Sequence, residues 1–332
     1  MSNILEAKDL NVEYLTRDGN IKAVDGVSFS LGFHETLGLV GESGCGKSTI
    51  GLSLLKILPI NAKVSGNIFY KDKDMVKMPD NEIRSLRGKE ISMIFQDPMT
   101  SLDPIMRIKN QFFETIRAHF PKMEESEMVK ISSNVLKSIG IDPSRLENYP
   151  FEFSGGMRQR VMIALAIVLN PSLLVADEPT TSLDVVVQLQ IMEVLKELKD
   201  QKDMSMVLIT HDLGLVAEIV DKVGIMYAGN LVEFGDVDSI YDDPLHPYTQ
   251  LLLVSIPNVK LEDMKLKYIK GNLPSLKSPP QGCKFHPRCP FAMDICLKAD
   301  PPTFAVKGRK VKCWLYKGEK DGSRKTDTAS IG

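Results

Sequence analysis

Gly41-Glu-Ser-Gly-Cys-Gly-Lys-Ser48 is a complete G-x-x-x-x-G-K-S phosphate loop, followed by Thr49. Before it, Glu35-Thr-Leu-Gly-Leu-Val40 is a short apolar run of strand character; after it, Thr49-Ile-Gly-Leu-Ser-Leu-Leu-Lys56 has helical apolar spacing. Strand, glycine loop and helix start form the context that gives the motif meaning. Gly41, Gly44 and Gly46 let the backbone fold tightly. The N–H groups of the loop, Ser43 and Cys45 included, then converge on phosphate oxygens at a positive helix end. In that arrangement Lys47 reaches the β- and γ-phosphates and the Ser48 hydroxyl sits on Mg²⁺. The octet implies binding of a nucleoside triphosphate, with Cys45 as a tolerated small residue.

Working outward, the 332 residues suit one large domain with a smaller one. Apolar residues make up 43% and charged residues 25%, enough for an ample core. A formal net charge of −2 offers no global field for DNA or RNA. The N-terminal MSNILEAKDL lacks the basic and apolar regions of a signal peptide, and no apolar stretch approaches the length of a bilayer span. The expectation is a chain kept in the cytosol, where five cysteines act as thiols or metal ligands rather than disulfides.

Alternating residues at 3–14 and 22–33 predict antiparallel strands about Arg17-Asp-Gly-Asn20. Strands are also expected at 64–70, 91–96, 172–176, 206–210 and 223–227, and helices at 155–169, 185–199 and 212–220. Between 105 and 150 the pattern is helical, with Phe112, Phe113, Ile116, Val135, Leu136 and Ile139 on the apolar side. The order predicts an α/β fold: a mostly parallel sheet flanked by helices, a small antiparallel β layer and a helical subdomain over about 100–165. Near 240 the composition changes, with prolines crowding into about sixty residues and four of the five cysteines following between 283 and 313. This reads as a separate, loop-rich unit, with a charged, disordered tail over 317–332.

Leu173-Leu-Val-Ala-Asp177 is an apolar strand ending in a carboxylate, the Mg²⁺-holding arrangement beside a phosphate loop. Glu178 follows, placed to polarise an attacking water. Phe153-Ser-Gly-Gly-Met-Arg-Gln-Arg160 opens a helix, where Ser154, Gly155 and Gly156 make a second anion site. One nucleotide does not need two such cradles. The economical explanation is a dimer in which each chain's Ser-Gly-Gly caps the γ-phosphate held by the other.

Taken in order, GESGCGKST, Gln96, FSGGMRQR, LLVADEP, Thr-Ser-Leu-Asp184 and His211 resemble the ATP-binding cassette of ABC transporters over residues 4–240. The resemblance implies ATP and Mg²⁺ as ligands, with Ser48, Gln96 and Asp177 around the metal. It makes Glu178, His211 and Gln96 the catalytic set: His211 contacts the γ-phosphate, and Gln96 senses metal, water and the membrane subunit. Tyr14 matches the aromatic position that stacks on adenine, Asp184 the dimer-contacting loop, and Ser154–Met157 the signature. The signature here reads FSGGM where many cassettes have LSGGQ, and Gln159 lies two residues too far on to replace that glutamine.

Pro244-Leu-His-Pro-Tyr-Thr249 and the run from Leu273 through Gly282-Cys-Lys-Phe-His-Pro-Arg-Cys-Pro290 look like the tail of dipeptide and oligopeptide importer ATPases. This implies domains at 1–240 and 241–316, import of di- or oligopeptides as the driven process, and a peripheral place on the cytoplasmic side of the inner membrane. The implied partners are a second ABC ATPase subunit, two membrane permease subunits and, indirectly, a substrate-binding protein, with no nucleic acid. A nickel-importer ATPase of the same family and a soluble ABC ATPase working on nucleic acid or ribosomes are the alternatives. Cys283, Cys289, Cys296 and Cys313 are spaced C-x5-C-x6-C-x16-C. The spacing suits a [4Fe–4S] cluster better than zinc, which favours C-x2–4-C knuckles, and free thiols are the third reading. His246 and His286 read as surface histidines.

Overall fold

The computed structural model describes residues 3–97, 101–181, 183–255 and 269–318. The chain opens with two long strands, β1 (Asn3–Thr16) and β2 (Gly19–Gly32), paired antiparallel about the predicted turn. β4 (Ala62–Tyr70) and β5 (Lys73–Asp74) complete an antiparallel sheet of order β2-β1-β4-β5. Alternation puts Leu5, Ala7, Leu10 and Val12 of β1 inward against Val24, Val27, Phe29 and Leu31 of β2.

The second sheet is built from β3 (Thr36–Val40), β6 (Ile91–Ile94), β7 (Leu173–Asp177), β8 (Ser205–Thr210), β9 (Lys222–Tyr227) and β10 (Asn230–Asp236). A hairpin of β11 (Phe304–Val306) and β12 (Arg309–Val311) continues it, giving the order β11-β12-β10-β9-β3-β8-β7-β6. Pairings from β9 to β6 are parallel. β3, β6, β7 and β8 are buried throughout, as the uninterrupted apolar runs of a sheet covered on both faces require.

The covering helices are α1 (Lys47–Leu54), α2 (Asp80–Leu86), α3 (Ile108–Arg117), α4 (Glu125–Ser138), α5 (Gly155–Ile167), α6 (Val185–Lys202), α7 (Leu213–Val216), α8 (Val237–Asp242) and α9 (Pro247–Val254). The stripe predicted from Phe112 to Ile139 is buried in one core with Val161, Ile163 and Ile167 of α5. α7 is shorter than the expected 212–220 helix. The N–H groups of Ile219 and Val220 both donate to the Val216 carbonyl, which tightens the end and lets Val220 pack toward Gly38.

Beyond residue 240 the chain leans on the rest of the molecule. Phe285 is buried in the main core, in edge contact with Tyr227 and Tyr248 at 5.0 and 5.4 Å. His246 is buried as well: its Nδ1 accepts from the Tyr248 N–H as the cap of α9, and burial pushes its pKa down to about 3. The surface reading of that histidine is therefore corrected. Proline 247 at the helix start leaves a donor-poor first turn that the ring nitrogen can cap. The expected tail over 317–332 falls, from residue 319 onward, outside the described residues. Among the described residues no helix is long and apolar enough to cross a membrane.

Candidate nucleotide site

β3 delivers the chain into the loop at Gly41 and α1 begins at Lys47. Two glycines are obligatory for steric reasons. A Cβ at Gly41 would lie 2.2 Å from the Met226 carbonyl oxygen, and one at Gly46 would lie 2.2 Å from that of Ala23. Gly46 also has φ of +106°, a left-handed conformation that glycine adopts without cost. The loop is thus wedged between β9 and β2.

Lys47 is buried, and its Nζ donates to the carbonyls of Gly41 at 2.7 Å and Glu42 at 3.2 Å. It also stands 3.9 Å from Glu178 Oε1. Ser48 Oγ donates to Asp177 Oδ1 at 2.9 Å, so the loop serine and the β7 carboxylate meet as the sequence predicts. Burial raises the Asp177 pKa to about 6; the Ser48 hydrogen bond and Lys47 oppose that rise, and Glu178 adds to it. A carboxylate with a hydroxyl beside it is an oxygen-donor pair suited, once ionised, to a hard divalent cation such as Mg²⁺.

Glu178 has φ of +44°, rare for a non-glycine residue. Its N–H donates to the Ile209 carbonyl on β8. Three side chains converge on its Oε2: Gln96 Nε2 donates at 3.3 Å, Thr181 Oγ1 donates at 2.9 Å, and His211 Nδ1 lies at 3.4 Å. Gln96 follows β6 and His211 follows β8, so both approach from the C-terminal ends of neighbouring parallel strands, where such sheets place ligands. Thr181 is the member that sequence reasoning missed; its signal was proximity to Glu178 in Asp177-Glu-Pro-Thr-Thr181.

Tyr14 Oη and Thr49 Oγ1 are 3.2 Å apart, which puts the aromatic at the mouth of the loop. Cys45 is fully buried, and burial raises its pKa, in keeping with a packing role. Ser154 is exposed and caps α5, accepting from the Met157 N–H at 3.4 Å; Gly155 beside it is exposed too. A Cβ at Gly156 would meet Val187 Cγ1 at 2.7 Å. Asp184 caps α6 by accepting from the Val187 N–H at 3.0 Å. Val185, Val186 and Leu189 lie exposed beside it. Signature helix and Asp184 loop therefore share one surface, joined through Val187. Gln159 is buried with its Nε2 unpaired, so it does not face that surface.

The cysteine reading finds no support in the structure. Among the described residues no group of three or more His, Cys, Asp or Glu stands where it could hold a metal ion. Neither the [4Fe–4S] cluster nor the zinc alternative at Cys283, Cys289, Cys296 and Cys313 is supported. The four thiols are near enough to influence one another electrostatically. Cys283 and Cys289 lie against the main core, and Cys313 is buried in a small core with Leu245, Val306, Val311 and Tyr316. Burial pushes the Cys289 thiol up to about 11 and that of Cys313 to about 12. The unit is instead tied by backbone and indole bonds, Cys283 N–H to the Cys296 carbonyl at 2.8 Å and Trp314 Nε1 to the Ala299 carbonyl at 2.8 Å.

Comparison with known proteins agrees with this geometry. The family model described as ABC transporter matches residues 24–181, and the model described as the oligopeptide/dipeptide transporter C-terminal region matches residues 232–296. A dipeptide transport ATP-binding protein of Bacillus subtilis is 46% identical over 320 residues, covering 95% of each chain. An oligopeptide transport ATP-binding protein of Salmonella typhimurium is 45% identical over 313 residues, covering 94% of this chain and 93% of its own. Among solved structures, cbiO1 from Clostridium perfringens, part of the ABC transporter complex cbiONQ, superposes with a TM-score of 0.62 at 28% identity. That match covers 73% of this chain and 92% of the other. A bacterial ABC transporter cassette solved as a dimer gives a TM-score of 0.62 at 25% identity over 70% of this chain and 98% of its own.

Proposed function

This chain belongs to the ABC transporter ATPases, and from that premise we propose that it powers the import of di- and oligopeptides through a membrane transporter. The observation that carries the cargo class is the match over residues 232–296 to the oligopeptide/dipeptide C-terminal region, beside relatives at 43–46% identity named for peptide transport.

ATP enters with its adenine on Tyr14, a contact of roughly 1–3 kcal/mol by analogy with base stacking. The N–H groups of Gly41, Ser43, Gly44, Cys45, Gly46, Lys47, Ser48 and Thr49 surround the phosphates. Lys47, held by loop carbonyls in this structure, turns to the β- and γ-phosphates. Ser48, Asp177 and Gln96 would hold Mg²⁺, which neutralises phosphate charge in the transition state. Glu178 takes a proton from the attacking water as general base. Gln96, Thr181 and His211 fix the orientation of its Oε2, and His211 also meets the γ-phosphate.

The exposed Ser154 and Gly155, with the half-buried Gly156 beside them, support a role toward the nucleotide of a second ABC subunit, with Asp184 and the apolar residues after it at the contact. Whether the pair is one chain twice or two related chains, the geometry asks for two cassettes. Two permease subunits and a substrate-binding protein complete the assembly, with this chain peripheral on the cytoplasmic side of the inner membrane. Residues 1–240 form the cassette, with a helical subdomain at about 100–165, and 241–316 a C-terminal domain that shares its sheet through β12.

The test is purification with the membrane partners, followed by ATPase assays against a peptide panel, nickel and nucleic acid. Stimulation by peptides supports the proposal. Stimulation by nickel alone, or co-purification with nucleic acid in place of membrane helices, contradicts it.

A further inference from the structure

Glu42, the second residue of the phosphate loop, is gripped at three points. Its carbonyl accepts from Lys47 Nζ at 3.2 Å, within the loop itself. The other two grips come from far along the chain. The Glu42 N–H donates to Tyr248 Oη at 3.2 Å. Arg288 Nη1 sits between the two carboxylate oxygens, donating at 2.9 Å to Oε1 and 3.1 Å to Oε2.

Arg288 is itself firmly held. Its side chain is 7% exposed, its Nε donates to the Lys270 carbonyl at 3.0 Å, and its guanidinium lies 5.7 Å from the centre of the Tyr227 ring. The turn that carries it, His286–Arg288, follows Phe285, which is locked against Tyr227 and Tyr248. Leu273, from the same C-terminal region, comes within 3.9 Å of where a Cβ on Gly44 would stand. The region beyond residue 240 therefore touches the loop at Glu42 and at Gly44.

A carboxylate on the loop that cradles a triphosphate is a liability. Like charges a few ångströms apart repel, and the repulsion grows where protein replaces water. Arginine answers this well, since it is charged at all working pH values and its planar group stacks on an aromatic while bonding a carboxylate. Arg288 thus does two things at once: it cancels the Glu42 charge, and it fixes the first half of the loop from outside.

We propose that Arg288 is a positioning residue for the phosphate loop, through which the region beyond residue 240 sets the affinity for MgATP. The inference rests on the reading of this loop as the ATP site. It predicts that loss of the guanidinium harms binding mainly by leaving Glu42 unpaired, so that removing the Glu42 charge as well should restore it.

The experiment measures MgATP dissociation constants and single-turnover hydrolysis for the full chain with its partners, in five forms: wild type, Arg288→Gln, Arg288→Lys, Glu42→Gln and the Glu42→Gln/Arg288→Gln double variant, with Lys47→Ala as control. Arg288→Gln should weaken binding about tenfold, the scale of one charged hydrogen bond. The bound-state hydrolysis rate should change by less than about threefold, because the atoms around Glu178 are untouched. Arg288→Lys should recover part of the affinity, and the double variant most of it. A double variant as weak as Arg288→Gln, or weaker, would mean that Arg288 is ordinary packing and overturn the proposal. So would unchanged affinity in Arg288→Gln when Lys47→Ala has lost binding. Retention of tight binding by Lys47→Ala would instead overturn the ATP-site reading on which the inference stands.

Discussion

Replacing Asp177 by Asn should make the nucleotide-free protein more stable and the MgATP-bound protein less so. Asp177 is 5% exposed at the end of β7, and its pKa rises from an ordinary 3.8 to about 6, chiefly through burial. A carboxyl with a raised folded-state pKa favours folding in its protonated form; that advantage is present below the unfolded value and is lost as pH climbs through about 6. At about 1.4 kcal/mol per tenfold change in proton affinity, ionised Asp177 costs the empty fold roughly 3 kcal/mol at pH 7. At pH 5 the cost falls to roughly half of that, because the folded form is then mostly protonated. Asparagine keeps an oxygen for the Ser48 hydroxyl, bonded at 2.9 Å in this structure, and removes the charge. Urea unfolding at pH 7 should therefore show Asp177→Asn more stable by roughly 2–3 kcal/mol, with the gain about halved at pH 5. Saturating MgATP should reverse the order, since ligand at about 1,000 times its dissociation constant adds roughly 4.1 kcal/mol to wild type and far less to a variant that has lost its metal carboxylate. A variant no more stable than wild type at pH 7 without nucleotide, or a gain independent of pH, would refute the reasoning.

Other substitutions probe the rest of the site. Glu178→Gln should keep ATP binding and lower turnover by ~10²–10⁴, the usual weight of a general base, while trapping an ATP-bound dimer visible by size-exclusion chromatography; near-normal turnover in the assembled transporter would remove Glu178 from that role. Ser154→Arg should abolish hydrolysis yet leave nucleotide affinity of the isolated chain unchanged by calorimetry, because Ser154 serves the opposite subunit. Tyr14→Ala should weaken ATP binding about tenfold, whereas Tyr14→Phe, which keeps the ring and drops the Thr49 contact at 3.2 Å, should stay within about threefold. Equal losses in the two Tyr14 variants would point to the hydroxyl instead of the ring.

The cassette was legible because its elements are written locally. Buried strands such as Leu173–Asp177 and Ser205–Thr210 are short apolar runs, and the residues that carry chemistry sit directly at their ends. Asp177 and Glu178 could be placed for that reason, and the resemblance to the ABC cassette added Gln96 and His211. What escaped the sequence is set by long-range packing. The hairpin Phe304–Val306 and Arg309–Val311 is too brief to show periodicity and gains its form from pairing with β10. The helix expected over 212–220 stops early because Val220 is drawn toward Gly38. His246 looks like a surface residue in a proline-rich stretch, yet its ring is needed inside as a helix cap. The spacing of the four cysteines suggested ligands, and among the described residues no group of three or more His, Cys, Asp or Glu stands where it could hold a metal ion. Arg288 and Glu42 lie 246 positions apart, and nothing local announces that they meet.

The claim that this chain drives peptide import is tested most directly by transport itself. With the chain, its membrane partners and a substrate-binding protein in proteoliposomes, and ATP on the side of the cassettes, uptake of a labelled di- or oligopeptide should require hydrolysable ATP. It should also stop with Glu178→Gln. Peptide uptake that continues without ATP or with the variant, or ATP-driven uptake of nickel but of no peptide, would contradict the account.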